Sequence, residues 1–412
     1  MSEVRTPSAR QVAALVAVLA AAVASRARAE LPPGPGAAVA RPGDDLIDLG
    51  RAIFFDRSLS EPAGTSCASC HDPERAFSGD NGSAVGVPRG SRAGRLARRT
   101  SPSLLYLRYI PAFHYFQDDE AAQPAPFGGL FWDGRVDTIA QLARQPLLNP
   151  NEMNNHDGRA VAAKIKKASY ADRFARAFGA GWGDGEATLA GVGKALEAFL
   201  TADEMAPFSS RFDAFLRKRG KLSPYEMQGM RVFKNNCASC HLFYETGRDP
   251  ALSLFTNFGY DAVAPPHNPH LPPAAKPDLG LCERTDKRIP SSDPANCVSF
   301  RTPSLRNVAV RVAYMHNGAF SNLRDAVAFY ATRATDPRRW YKSGVVFEDV
   351  PKKFRGLVNT TSVPYNRRPG DSPALNDREI DAVVAFLHTL TEARYQPVAA
   401  LGSPPSAPTS HH

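Results

Sequence analysis

Apolar residues along this chain recur at helical spacing. Leu189, Val192, Leu196, Phe199 and Leu200 share one face, and Ile380, Val383, Val384, Leu387 and Leu390 share another. The second face follows Asn376-x-x-Glu379, a capping box that predicts where its helix begins. Two more helical segments carry a common Gly-x-x-apolar-Phe pattern, Gly50-Arg51-Ala52-Ile53-Phe54 and Gly229-Met230-Arg231-Val232-Phe233. Ser223-Pro224, with Glu226 three on from the serine, predicts the start of the latter. Ser321 stands where it can cap a helix in which Leu323, Val327 and Tyr330 fall on the buried side. No alternating run is long enough to read as a sheet strand. The pattern predicts an all-α fold with long loops punctuated by Pro and Gly, and loops of that length usually carry function.

The ends read differently. Arg5 and Arg10 precede an apolar stretch, Val12 to Ala24, and Ala27-Arg28-Ala29 offers a cleavage site. That stretch of about 13 residues falls short of the roughly 20 that span a bilayer, so 1–29 reads as a cleavable export signal. No span is expected in the mature chain, and the expected location is the periplasm. Residues 30–43 form a Pro/Gly/Ala-rich leader and 396–412 a polar tail, both expected to be disordered. At 412 residues, 43% hydrophobic, the chain is long enough for two or three packed domains. The repeated Gly-to-Phe segments split it into 44–210 and 211–395, with the boundary between Pro207 and Leu222.

Both Gly-to-Phe segments lead into the same five residues, "CASCH": Cys67, Cys70 and His71 in the first half, Cys237, Cys240 and His241 in the second. Two thiols at this spacing can each add to a vinyl group of one haem, and the following His is placed to ligate its iron. A zinc site needs its two Cys pairs roughly 15 to 20 residues apart, and these lie in different halves. A redox dithiol needs a strand-helix context that is missing. Two covalently bound c-type haems are therefore expected. The remaining two of six cysteines, Cys282 and Cys297, lie in a Pro-rich polar segment of an exported chain. They are expected to form a loop-closing disulfide worth about 3 kcal/mol.

Around the two motifs stand, in order, "FWDGR" (Phe131 to Arg135), "PLLNPNEM" (Pro146 to Met153), "FRTPSLRNVAV" (Phe300 to Val310) and "YMHNG" (Tyr314 to Gly318). With these motifs the chain resembles the bacterial di-haem cytochrome c peroxidases and their MauG-like relatives over nearly the whole mature length. The resemblance implies two cytochrome c-like domains. The first haem, on Cys67, Cys70 and His71, would be peroxidatic, with Glu152 as its distal acid-base group. Splitting a peroxide O–O bond needs a group that takes a proton from one oxygen and gives it to the other. Trp132 would lie between the haems and serve electron transfer.

Other positions carry the resemblance toward the MauG-like branch. The peroxidases hold a His in the loop after the first motif that caps the resting iron, and Val87 stands there, which implies an open first iron. The second iron takes a Met in the peroxidases and a Tyr in MauG-like proteins. Counted from His316, that place falls on Tyr330, opposite His241, with Met315 as the rival ligand. A calcium ion between the domains would draw on Thr100, Arg311 and Ala313, with Thr100 replacing the usual Asn. Leu142, beside Gln141, replaces a distal Gln. MauG has a Trp two residues before the second haem motif, and Asn235 stands there, so quinone-cofactor maturation by that route is not implied.

The net charge of +9 has one local concentration, Arg89, Arg92, Arg95, Arg98 and Arg99 in a single loop. It reads as a solvated face, a set of propionate partners or a docking site for an acidic protein. Nucleic acid is not an expected partner for an exported haem protein. Three functions stay open: a peroxide-dependent enzyme that oxidises a Trp or Tyr of a partner protein, a peroxidase fed by a small cytochrome or copper protein, and a plain electron carrier. The Tyr330 and Val87 positions lean toward the first.

Overall fold

The computed structural model describes residues 43–116, 124–245, 249–272, 276–284 and 294–396. The export signal and nearly all of the leader and tail lie outside them. The helices are α1 (Asp44–Phe55), α2 (Cys67–Cys70), α3 (Ile139–Leu148), α4 (Gly158–Ile165), α5 (Ala171–Phe178), α6 (Gly185–Leu200), α7 (Arg211–Leu216), α8 (Pro224–Asn236), α9 (Leu323–Thr332), α10 (Pro337–Trp340) and α11 (Asp377–His388). Four strands of two or three residues pair into two antiparallel ribbons. These are β1 (His114–Phe116) with β2 (Ala125–Phe127), and β3 (Tyr260–Asp261) with β4 (Phe300–Arg301). Strands this short leave no alternation for a sequence pattern to register.

The predicted helical faces are α6 and α11, and the boxes at Ser223/Glu226 and Asn376/Glu379 both cap as expected. The helix that carries Tyr330 begins one residue later than its sequence suggests. Asn322, not Ser321, accepts the Asp325 amide at 2.8 Å.

Among the described residues two large apolar cores stand beside two small clusters. One core runs from Leu49 to Phe208 and includes Leu254, and the other runs from Phe212 to Leu390. In the first, α1 crosses α6; in the second, α8 crosses α11. The crossings match in detail. A Cβ on Gly50 would overlap the carbonyl of Ala195 and reach 2.9 Å from Phe199 Cβ. A Cβ on Gly229 would overlap the carbonyl of Ala382 and reach 3.0 Å from Phe386 Cβ. The shared glycines are therefore contact points where two helix backbones touch. The second "CASCH" follows directly on α8, with Cys237 as its C-cap, whereas the first lies beyond the turns after α1 and opens a helix of its own, α2.

Candidate functional site

Each "CASCH" lines its own cavity. The first cavity, about 360 Å³, has Cys67, Cys70 and His71 on its wall; the second, about 170 Å³, has Cys237, Cys240 and His241. His71 Nδ1 lies 3.0 Å from the Phe77 carbonyl and His241 Nδ1 lies 2.9 Å from that of Phe255. A carbonyl only accepts, so Nδ1 carries the proton and Nε2 keeps its lone pair. Phe77 and Phe255 both adopt left-handed backbone, φ 55° and 57°. This costly conformation recurs in both halves just where a carbonyl turns toward the histidine. Burial lowers both histidines to about 4, so each is neutral, the form that ligates iron.

The four thiols are free, and burial pushes Cys67, Cys70 and Cys237 up to about 12, with Cys240 also raised. A redox dithiol needs the opposite shift. Paired neutral thiols beside a histidine with its Nε2 lone pair free fit a haem held by two thioethers and one axial ligand. Cys282 and Cys297 form a disulfide with Cα atoms 4.8 Å apart.

The turn after α3 brings Glu152 into the wall of the same cavity as the first motif. Asn149 Nδ2 donates to its carboxylate at 2.9 Å, and Ser91 N donates to its backbone carbonyl at 2.7 Å. Burial raises Glu152 above the ordinary carboxylate range, and the Arg135 charge and the Asn149 hydrogen bond hold it back only in part. Arg135 is itself fixed between Asp133 at 3.0 Å and Gln145 at 2.6 Å. Val87 is fully buried in the protein and does not line the cavity, whereas Pro88 does. Leu142 lines it as well. Gln141 is exposed, its carboxamide oxygen taken by the amides of Asp137 and Thr138 at the start of α3.

Trp132 lines both cavities. Its indole N–H donates to Thr100 O at 2.9 Å, and its ring meets His316 edge to face at 6.5 Å. His316 in turn stacks on Phe300 at 3.6 Å.

Tyr330 and Met315 both line the second cavity, and the phenol touches the Met315 sulfur at 3.8 Å. Burial, reinforced by Asp261, pushes the phenol well above its usual range. Tyr365 stacks on Tyr330 with ring centroids 5.8 Å apart.

A correspondence between the halves, which sequence reading missed, orders these residues. Leu130 pairs with Val136 around Phe131-Trp132-Asp133-Gly134, and Tyr314 pairs with Phe320 around Met315-His316-Asn317-Gly318. Phe131 and Met315 share a left-handed φ, 64° and 66°, as do Gly134 and Gly318. Thr138 and Asn322 then cap equivalent helices. Eight residues on from each cap stand Pro146, on the wall of the first cavity, and Tyr330, on the wall of the second. The signal was present in the paired strings "LFWDGRV" and "YMHNGAF", which share only one identical residue.

The arginine run divides. Arg89, Arg92, Arg95 and Arg98 are exposed, and Arg98 still pairs with Glu283 at 2.6 Å. Arg99 is drawn inward between Asp133 and Asp278, each at 2.6 Å. Asn235 lies exposed at the end of α8 and does not line the second cavity.

The candidate calcium ligands do not fit an ion. Thr100 Oγ1 donates to Met315 O at 3.0 Å, and the guanidinium of Arg311 donates to Ala313 O at 3.3 Å. A cationic side chain already covers the carbonyl that calcium would need.

Paired thiols and histidines at two cavities, on two matched helix crossings, define a di-haem oxidoreductase. The chain belongs to the di-haem cytochrome c peroxidase family, whose model matches residues 44–221. It is 37% identical to the methylamine utilization protein MauG of Paracoccus denitrificans, over 89% of this chain and 94% of that one. It is 50% identical to the diheme peroxidase BthA of Burkholderia thailandensis, whose crystal structure superposes with a TM-score of 0.83 over 89% of this chain and 91% of that one. It is 26% identical to the cytochrome c551 peroxidase of Nitrosomonas europaea, over 71% of this chain and 75% of that one. The protein is thus a haem-dependent, peroxidase-type oxidoreductase that uses two haems.

Proposed function

We propose that this enzyme reduces hydrogen peroxide at its first haem while its second haem, held by His241 and Tyr330, stores oxidising equivalents. The observation that carries this reading is an asymmetry: Trp132 lines both cavities, Glu152 only the first and Tyr330 only the second. Cys67, Cys70 and His71 would hold one haem and Cys237, Cys240 and His241 the other, and the haems would supply the redox chemistry. Glu152 takes the proton from one peroxide oxygen and returns it to the other, so that two electrons and two further protons yield two waters. Asn149 orients the carboxylate for both transfers, and the Arg135 charge favours its ionised form. Pro146 offers no ligand where its counterpart offers a phenol, which keeps the first site open. A buried tyrosine normally finds a strong hydrogen-bond partner, and among the described residues the phenol of Tyr330 meets only the Met315 thioether. As a ligand to the second iron, Tyr330 would serve as the phenolate.

The electrons come from a small donor protein, a cytochrome or copper protein. The likeness to a diheme peroxidase and the exposed Asn235, where an aromatic relay would be needed, favour this reading. Oxidation of a Trp or Tyr in a partner protein is the second reading, favoured by the likeness to MauG. The export-like start of the chain supports a periplasmic location. Among the described residues no helix is long and apolar enough to cross a membrane.

Tyr330→Phe tests the ligand assignment. It should change the visible spectrum of one haem and leave the other as in the parent; spectra identical in both would transfer the ligand role to Met315.

A further inference from the structure

Arg311 stands at the seam between the two cavities. Its guanidinium donates to Ser101 O at 3.2 Å and to Ala313 O at 3.3 Å, joining a segment of the first half to one of the second. It lines the second cavity, and its charge acts on His71 at the first. Two neighbouring hydrogen bonds run along the same seam, from Thr100 N to His316 O at 2.8 Å and from Thr100 Oγ1 to Met315 O at 3.0 Å. Trp132 is tied to this seam through Thr100 O. Among the described residues no carboxylate pairs with Arg311. Arg311 is half-buried, and the partners its guanidinium has within the protein are backbone carbonyls, so it brings net positive charge to the seam.

We propose that Arg311 is a resident cation that holds the two halves in register around Trp132 and makes the link between the haems independent of calcium. The inference rests on the two cavities holding haems. A calcium ion would do two things at this seam: gather carbonyl oxygens from both halves and place positive charge between the irons. The guanidinium does both with a covalently fixed group, which cannot be stripped by a chelator. Its charge also favours the reduced haems, because reduction removes a positive charge from each iron. Arg311 is a positioning residue, since it acts through the seam and through the haem potentials rather than on peroxide.

The test uses the holoprotein before and after exhaustive treatment with a calcium chelator. Calcium is measured by elemental analysis, and both haem midpoint potentials are measured by spectroelectrochemical titration. The expected result is no stoichiometric calcium and unchanged potentials. In R311T the reduction equilibrium of at least one haem should fall by about tenfold, which is about 59 mV for one electron, while R311K stays near the parent. One calcium per chain whose removal shifts the potentials would overturn the proposal, as would an R311T variant with parental potentials. Should R311T not fold, the calcium content and chelator response of the parent protein decide. A chain without bound haem would instead defeat the functional reading, and its spectrum reveals that before chelator is added.

Discussion

Glu152→Gln is expected to slow the reaction of the fully oxidised protein with hydrogen peroxide by about 10² to 10⁴-fold, with haem content and stability unchanged. The carboxamide preserves the shape of the side chain and can keep the contact with Asn149, but it cannot accept a proton. The pH dependence carries a second signature. Because burial raises Glu152, its ionised form is lost already above the usual carboxylate range. The group must be ionised to take the first proton, so the parental rate should fall as pH drops through that raised value. E152Q should lose this limb and become flat over the same window. Stopped-flow absorbance across pH measures both, and an unchanged rate at neutral pH removes Glu152 from the mechanism.

The second large effect concerns stability. Arg306 donates to both oxygens of Asp213, at 3.0 and 2.8 Å, and to Glu392 at 3.4 Å; all three side chains are almost wholly buried. It also rests on the ring of Phe208 at 4.6 Å, where the two cores meet. Arg306→Ala leaves two adjacent carboxylates buried without a counter-charge, and the expected cost is about 3 to 5 kcal/mol. Its pH dependence has a definite sign. Burial pushes Asp213 up, but the charge and hydrogen bonds of Arg306, with help from Ser210, outweigh it and leave Asp213 below the ordinary range. A depressed carboxylate contributes stability that is present above its unfolded pKa and lost as pH falls. In R306A the sign reverses, because unpaired buried carboxylates are relieved by protonation. Denaturant unfolding near pH 7 and near pH 5 separates the two cases; a loss below about 1 kcal/mol at both would contradict the role assigned to Arg306.

The sequence is most readable where a residue's task is local. Cys-x-x-Cys-His needs only its own spacing, and the capping boxes at Ser223 and Asn376 need only three residues each. The glycine pattern at Gly50 and Gly229 pointed to paired halves, though its reason, backbone contact with Ala195 and Ala382, is tertiary. Ser321 and Asn322 are both good caps, and only helix register decides between them. What stayed hidden depends on partners distant in the chain. Arg306 looks like an ordinary arginine until Asp213 and Glu392 converge on it. Arg311 reads in the sequence as a backbone ligand because its position suggests a carbonyl, and nothing local announces that its side chain turns back onto Ala313. The arginine run read as a single patch, and burial of Arg99 by Asp133 and Asp278 divides it. The matching of Pro146 with Tyr330 required both helix caps to be known before positions could be counted.

Unequal haems sharing one tryptophan are the centre of this account, and they can be observed together. The fully oxidised protein is mixed with hydrogen peroxide in the absence of any donor, and the visible and near-infrared spectra are followed. The signals of both haems should change together, in a long-lived state that an added donor protein returns to the starting spectrum. No change, or a change confined to one haem, would contradict it.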